Sequence, residues 1–473
     1  MRRLAPAAVV AALLASPASA SAHGVVQRAD LPIPDWMFAW AAAIVLVASF
    51  AALAALWPRP RLESPTWRPL PGIGRAVASV PVQIVCGLLG VVLLVVTVWA
   101  GWFGLQGGQD NFAPTFVYVV FWVGLVFTSL LFGDVFRVLS PWRAVGRGAG
   151  WAVSRARRGR VVTHRAYPER LGRWPAALGL LWFTWTELVG TFGDYPDRIA
   201  TYAVVYSVIT WAAMAVYGVE AWHTRGEGFG VYFNLFSRLS VFETREGVVG
   251  VRPLLGGLPR LDPIPGTVAV IAVMIGTVTF DGLSQGAAWK SSLGPWLHDL
   301  FTGIGFGTGT AVTLANTVGL LLGPLLVAGF YSFGIAGAVS VGGGFDAVRL
   351  RRLFVHSLVP IALVYAIAHY LTELVFQGQA MSYLSSDPLG HGWNLFGTAT
   401  TAIDYTVLGQ NTTWYLQVGF VICGHVCALV LAHDRALAIY RAPQQAVRSQ
   451  YWMLGVMVGF TSLALWLLAS LNR

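Results

Sequence analysis

Two side chains in the stretch AHYLTELVFQGQ are placed to act together. His369 and Glu373 are four residues apart, so a helix through this stretch puts them on one face. An imidazole and a carboxylate at this spacing can supply two ligands to zinc or copper, and can also exchange protons. The pair predicts a metal or catalytic site, a path for protons or ions, or a hydrogen-bonded pair that holds its helix to its neighbours.

Two more carboxylates are expected at the same depth. Glu187 in FTWTELVG and Asp281 in TVTFDGL lie near the ends of apolar segments. Ionisable groups inside a bilayer are costly and usually functional. Either carboxylate could be a third ligand to a metal held by His369 and Glu373, and a metal-bound water could then attack an ester. We therefore predict a catalytic centre of Glu187, Asp281, His369 and Glu373.

The N-terminal residues predict a cleavable signal peptide over 1–22. Arg2 and Arg3 precede a short apolar stretch, and small residues lead up to Ala22. Cleavage there would give His23 a free α-amine, which with its own imidazole forms a chelating pair attractive to copper. His23 is thus a further predicted metal ligand.

Composition predicts an all-α integral membrane protein. Hydrophobic residues make up 56% of the 473 residues and charged residues 11%, which is too apolar for a soluble chain. No soluble domain is evident, so 23–473 is expected to form one polytopic membrane domain. Apolar runs of spanning length predict ten transmembrane helices, near 36–57, 80–103, 114–133, 174–192, 199–219, 264–283, 310–333, 353–376, 413–433 and 452–470.

The distribution of charge predicts the orientation of the chain. Of the 31 basic residues, 25 fall in the five connections on one side of the ten predicted helices, and four fall on the other side. Basic residues near helix ends remain cytoplasmic, so we expect a bacterial plasma-membrane protein with both mature termini outside. This pattern explains the net charge of +10 by contact with the bilayer and gives no reason to expect nucleic acid binding.

Three local patterns give structural expectations. Asp134 and Arg137 are predicted to pair across one helical turn. The stretch FGVYFNLFSRLSVFE is expected to form a helix along the membrane surface. Gly319 and Gly323 are spaced for close contact between helices.

Several stretches of the chain resemble a known family. AHGVVQRADLPIPDWMFAW, GTVTFDGLSQG and LTELVFQGQA, with the segments from Asn111 and Ala432, are similar to a group of actinobacterial integral membrane proteins commonly labelled fenitrothion hydrolase. The resemblance covers nearly the whole chain. It implies hydrolysis of an organophosphorus triester with release of a phenol, and it assigns no catalytic residue.

The residues leave three functions open. A hydrolase would use the predicted centre on lipophilic esters that partition into the bilayer, with a divalent metal such as zinc or copper as its cofactor. A transporter or metal-handling protein would use the same groups to bind and pass a cation. A non-catalytic assembly partner would do neither.

Overall fold

The computed structural model describes residues 35–64, 66–158, 163–190 and 193–470. A helix occupies each of the ten predicted segments. In chain order these helices are α1 (Asp35–Leu56), α2 (Val80–Phe103), α3 (Phe112–Phe132), α4 (Trp174–Leu188), α5 (Pro196–Tyr217), α6 (Thr267–Gln285), α7 (Thr308–Ser340), α8 (Val359–Phe376), α9 (Gln410–Ile439) and α10 (Tyr451–Ser470).

Within the described residues, seven helices are long and apolar enough to cross a membrane. They are α2, α3, α5, α6, α7, α9 and a helical run from Ala347 to Ser386 that contains α8. The chain is therefore an all-α, multi-pass membrane protein, as its composition predicts. The predicted signal peptide and His23 lie outside the described residues.

Proline marks the beginnings of several helices. Pro81, Pro175, Pro196 and Pro360 lie in the first turns of α2, α4, α5 and α8. The amide of a first-turn residue has no acceptor within its helix, so proline costs nothing there and fixes a helical φ angle. These prolines define where the apolar segments begin to coil.

Helices α6 and α8 form the centre of the bundle. In α6 and in the run containing α8, 72% of the residues of an 18-residue apolar stretch are buried. The corresponding share is 28–44% in the other five spanning helices. Helix α6 packs against α4, α7 and α8, and α8 also packs against α9. Charged groups on α6 and α8 are therefore enclosed by protein.

Glycine permits a very close contact between α6 and α7. A Cβ atom on Gly276 of α6 would lie 2.2 Å from the backbone nitrogen of Pro324, and one on Gly323 of α7 would lie 2.2 Å from the Gly276 carbonyl oxygen. A Cβ on Gly319 would meet the ring of Phe280 at the same distance. The predicted packing role of Gly319 and Gly323 is confirmed.

Shorter elements connect these helices. A three-stranded antiparallel sheet has the order β1 (Arg68–Pro69), β3 (Val248–Val251), β2 (Phe242–Arg245), with Phe242 opposite Val251. The short helices comprise Ile73–Val77, Val135–Leu139, Pro141–Ala156, Val219–Arg225, Gly228–Ser237, Trp289–Leu293, Gly294–Gly303, Ala347–Phe354, Val355–Leu358, Gln377–Ala380, Met381–Ser386 and Pro443–Ser449.

Two local predictions are wrong. Asp134 does not pair with Arg137: it accepts a hydrogen bond from the Asn234 amide, while Arg137 binds Glu220. Gly133 has a φ of 87° and ends α3. Asp134 therefore lies between α3 and the helix Val135–Leu139, and no continuous helix carries both Asp134 and Arg137. The helix Gly228–Ser237 is almost wholly buried among aromatic rings instead of lying on the membrane surface.

Candidate functional site

Asp281 joins α6 to α8 through two hydrogen bonds to one oxygen. The Nε2 atom of His369 is hydrogen-bonded to Asp281 Oδ2 over 2.9 Å, and the Tyr370 hydroxyl donates to the same oxygen over 3.0 Å. Asp281 is 1% exposed and the His369 side chain 12%. The carboxylate therefore fixes the imidazole through one of its two ring nitrogens.

Glu187 and Glu373 lie close enough to Asp281 to interact with it electrostatically. Glu187 also interacts with Glu373, and both glutamates interact electrostatically with Asp194 in the loop after α4. The Oε2 atom of Glu187 is buried without a hydrogen-bond partner among the described residues. We call Glu187, Asp281, His369 and Glu373 the carboxylate centre.

The carboxylate centre holds more acid than base. Among the ion pairs of the described residues, none joins an arginine or lysine to Glu187 or Glu373, while His369 pairs with Asp281. Like charges in a low-dielectric interior repel one another, and burying them without partners is costly. Protons or a bound cation would therefore stabilise the centre by reducing its charge.

The structure brings together all four predicted site residues, from three different helices. It changes two details of the prediction. His369 is directed to Asp281 and not to Glu373, the residue one turn along its own helix. Glu187 lies in the last turn of α4, because that helix ends at Leu188 and not near residue 192.

The donor arrangement does not form a recognisable metal site. Across the described ranges, no group of three or more His, Cys, Asp or Glu side chains is placed to hold a metal ion. The Nε2 atom of His369, one of the two ring nitrogens that can bind a metal, already faces Asp281.

Two tyrosines of the site were not anticipated. Tyr370 follows His369 directly, and Tyr118 donates its hydroxyl to the Gly193 carbonyl over 2.8 Å and interacts with Glu187 and Asp194. Tyr118 lies in a stretch of α3, Thr115–Gly124, that is wound as a π-helix. Tyrosine is common at membrane boundaries, so its presence in the sequence gives no signal of a site.

A second buried acid lies at Glu227. Glu227 is 1% exposed and accepts hydrogen bonds from the amides of Phe229 and Gly230, which begins the helix Gly228–Ser237. The Tyr206 hydroxyl donates to Glu227 Oε1 over 2.5 Å, and His223 Nδ1 lies 3.4 Å from Oε2. These contacts satisfy the carboxylate, so we interpret it as a structural anchor.

An apolar cavity lies beside Tyr118, which interacts with Glu187, and Tyr206, which is hydrogen-bonded to Glu227. It has a volume of about 290 Å³, lies among α2, α3, α4, α5 and the helix Gly228–Ser237, and we call it the aromatic cavity. Tyr118 and Tyr206 both line it. Its described lining residues include no member of the carboxylate centre.

Comparisons with protein-family models, with curated proteins and with solved structures give no match to this chain.

Proposed function

We propose that the chain is a proton-coupled transporter of the bacterial plasma membrane. The observation that supports this most directly is the convergence of Glu187, from α4, with Glu373 and the Asp281–His369 pair, which lie on the two most buried of the spanning helices described. Carboxylates and histidines inside a membrane domain are the usual means of taking up and releasing protons during transport. The excess of acid over base means that the charge of the centre is set by the number of protons or cations it holds.

The proposal includes a topology. Ten helices cross the membrane, the signal peptide is removed after Ala22, and His23 and the C-terminus lie outside. Arginine-rich connections then lie in the cytoplasm, and the carboxylate centre lies near the outer face. Protons would therefore enter the centre from outside.

Infrared spectroscopy of the purified protein tests proton binding without knowledge of the substrate. Lowering the pH should produce the carbonyl band of protonated carboxylic acids, and Glu373→Gln should remove part of it. Glu246→Gln makes the same chemical change in the exposed β2–β3 turn and serves as the matched control. An identical band change in Glu373→Gln, Glu187→Gln and wild type would contradict proton binding at the carboxylate centre.

Flux measurements test the coupling. In proteoliposomes with an imposed pH gradient, we expect protein-dependent proton movement that His369→Asn abolishes and Glu246→Gln retains. No movement in wild-type vesicles, with or without added organic or inorganic cations, would contradict transport.

A hydrolase of the kind that the family resemblance implies is the second candidate, and the Asp281–His369 pair favours it. If Nε2 donates to Asp281, Nδ1 can accept a proton from water. The water oxygen would bond to phosphorus as the phosphorus–aryloxide bond breaks, and the proton taken up by Nδ1 would pass to the departing aryloxide, releasing a phenol. The substrate class would be lipophilic phosphotriesters.

Turnover of a nitrophenyl phosphotriester distinguishes the two candidates. A hydrolase predicts nitrophenol release by purified protein, lost in His369→Ala and in Asp281→Asn. A transporter predicts proton binding and flux with no release. Neither activity in a folded protein would favour an assembly partner.

A further inference from the structure

We propose that the aromatic cavity binds a lipophilic organic cation. If this cation is the transported substrate, its movement would be exchanged for protons bound at the carboxylate centre. This role as a substrate rests on the proposed function.

The size and lining of the cavity fit a small apolar molecule. Its volume of about 290 Å³ is near the lower end of the range for ligand pockets, ~300–1,000 Å³. The lining is almost entirely apolar and includes Trp142, Trp182, Phe183 and Phe229. A cavity of this kind is a poor site for water and a good one for hydrocarbon and aromatic groups.

Three hydroxyl groups on the cavity wall, those of Thr97, Thr186 and Tyr118, offer little to an anion. Thr97 donates to the Leu93 carbonyl and Thr186 to that of Phe183, so both protons are used within their own helices. Tyr118 donates to the Gly193 carbonyl. An anion would therefore lose its hydration without gaining donors from these groups.

The charges around the cavity favour a cation. Tyr118 interacts with Glu187 and Asp194, and Tyr206 donates to Glu227. Arg143, which follows the lining residue Trp142, has a buried guanidinium group. This group is paired with Glu220 over 2.8 Å, so its positive charge is compensated. Ring faces of tryptophan, tyrosine and phenylalanine add their own attraction for a cation.

Binding of two ions of similar shape and opposite charge tests the inference. Tetraphenylphosphonium and tetraphenylborate are the probes, and equilibrium dialysis of the detergent-purified full chain is the measurement. We expect saturable binding of the phosphonium, and weaker binding of the borate by at least about tenfold, equivalent to ~1.4 kcal/mol. Equal binding of the two ions would overturn the inference.

Two variants separate shape from charge. Ala203 lines the cavity on α5, so Ala203→Phe should place a phenyl ring in it and abolish phosphonium binding, while the smaller Ala203→Leu should weaken binding. Glu187→Gln should weaken phosphonium binding about tenfold, and Glu246→Gln should not change it. Unchanged phosphonium binding in Ala203→Phe would place the bound ion elsewhere and overturn the inference.

Phosphonium binding and the infrared band together distinguish failure of the cavity site from failure of proton coupling. Phosphonium binding that is lost in Ala203→Phe, without the pH-dependent infrared band, supports the cavity site and contradicts proton coupling. The infrared band without phosphonium binding contradicts the cavity site and leaves proton coupling in place. Size-exclusion chromatography of each variant establishes that it is folded.

Discussion

Asp281 accepts hydrogen bonds from His369 and Tyr370, and removal of each partner should have a different cost. Tyr370→Phe deletes one donor and leaves the ion pair, so we expect a loss of about 1 kcal/mol in the free energy of unfolding. Asp281→Asn keeps the shape but replaces an anionic acceptor of both bonds, so we expect a loss of about 2–3 kcal/mol. Denaturant titration of the purified protein measures both, and equal losses would contradict a shared acceptor.

Glu220 gives a pH-dependent contribution outside the membrane-spanning helices. Burial alone would raise the pKa of its carboxyl group, but the hydrogen bond and charge of Arg143, with the charge of Arg137, outweigh burial and lower that pKa below the ordinary value of 4.5. A carboxyl group with a lowered folded-state pKa stabilises the fold above its unfolded-state pKa, and this contribution disappears as the pH falls through the folded-state pKa.

The corresponding experiment compares the wild type with Glu220→Gln across pH. At neutral pH we expect the variant to be less stable by about 0.5–1 kcal/mol, a modest value because the Glu220 side chain is 49% exposed. The difference should begin to shrink as the pH falls below about 4.5, the unshifted pKa of the group, and should vanish below the lower folded-state pKa. A difference that stays constant with pH would mean that the pairing with Arg143 does not stabilise the fold.

At the scale of helices, the crossing of α6 and α7 sets the position of Asp281. Gly276 and Gly323 touch backbone to backbone, and Asp281 lies five residues beyond Gly276 on the same helix. Gly276→Val would place side-chain atoms where the α7 backbone stands, so we expect loss of folded protein.

Gly329→Ala is the matched control, since no atom lies within 4 Å of a Cβ placed at that position in α7. It should fold normally and be slightly stabilised by the helix preference of alanine. Yield of monodisperse protein by fluorescence size-exclusion chromatography is the measurement. Normal yield of Gly276→Val would show that the two helices can separate without cost.

Apolar runs in the sequence predict where the described helices α1 to α10 lie to within a few residues at most ends, because length and composition are strong local signals. The same signals do not reveal what surrounds an element. The stretch Gly228–Ser237 has the mixed composition of a surface helix, yet Phe229 and Phe233 pack against Phe121 of α3. Whether an aromatic face meets lipid or other rings depends on contacts distant in sequence.

The carboxylate centre was partly predictable for a related reason. Intramembrane acids and a histidine are conspicuous in an apolar sequence, so Glu187, Asp281, His369 and Glu373 could be named before the fold was known. The choice of Asp281 as partner of His369 depends on how α6 and α8 are packed together, which spacing along one helix cannot show. The aromatic cavity has no signal in the sequence, since its lining comes from several separate elements.

For the whole molecule, labelling from each side of the membrane tests the proposed orientation. In a variant with Cys86, Cys423 and Cys427 replaced by alanine, a cysteine at Glu246 should react with an impermeant maleimide only after cell lysis. A cysteine at Thr401, in the connection before α9, should react in intact cells. The reverse pattern would place the carboxylate centre near the cytoplasm and contradict proton entry from outside.

The π-helical stretch Thr115–Gly124 has a consequence for the length of the chain. A π-helix has more residues per turn than an α-helix. This stretch therefore contains more residues than an α-helix of the same length would. Deleting one residue before Tyr118 would shift each following side chain by roughly 100° around the axis and turn the Tyr118 hydroxyl away from the Gly193 carbonyl. Homologues that retain this contact should therefore keep the same residue count between Pro114 and Leu125, even where the side chains themselves vary.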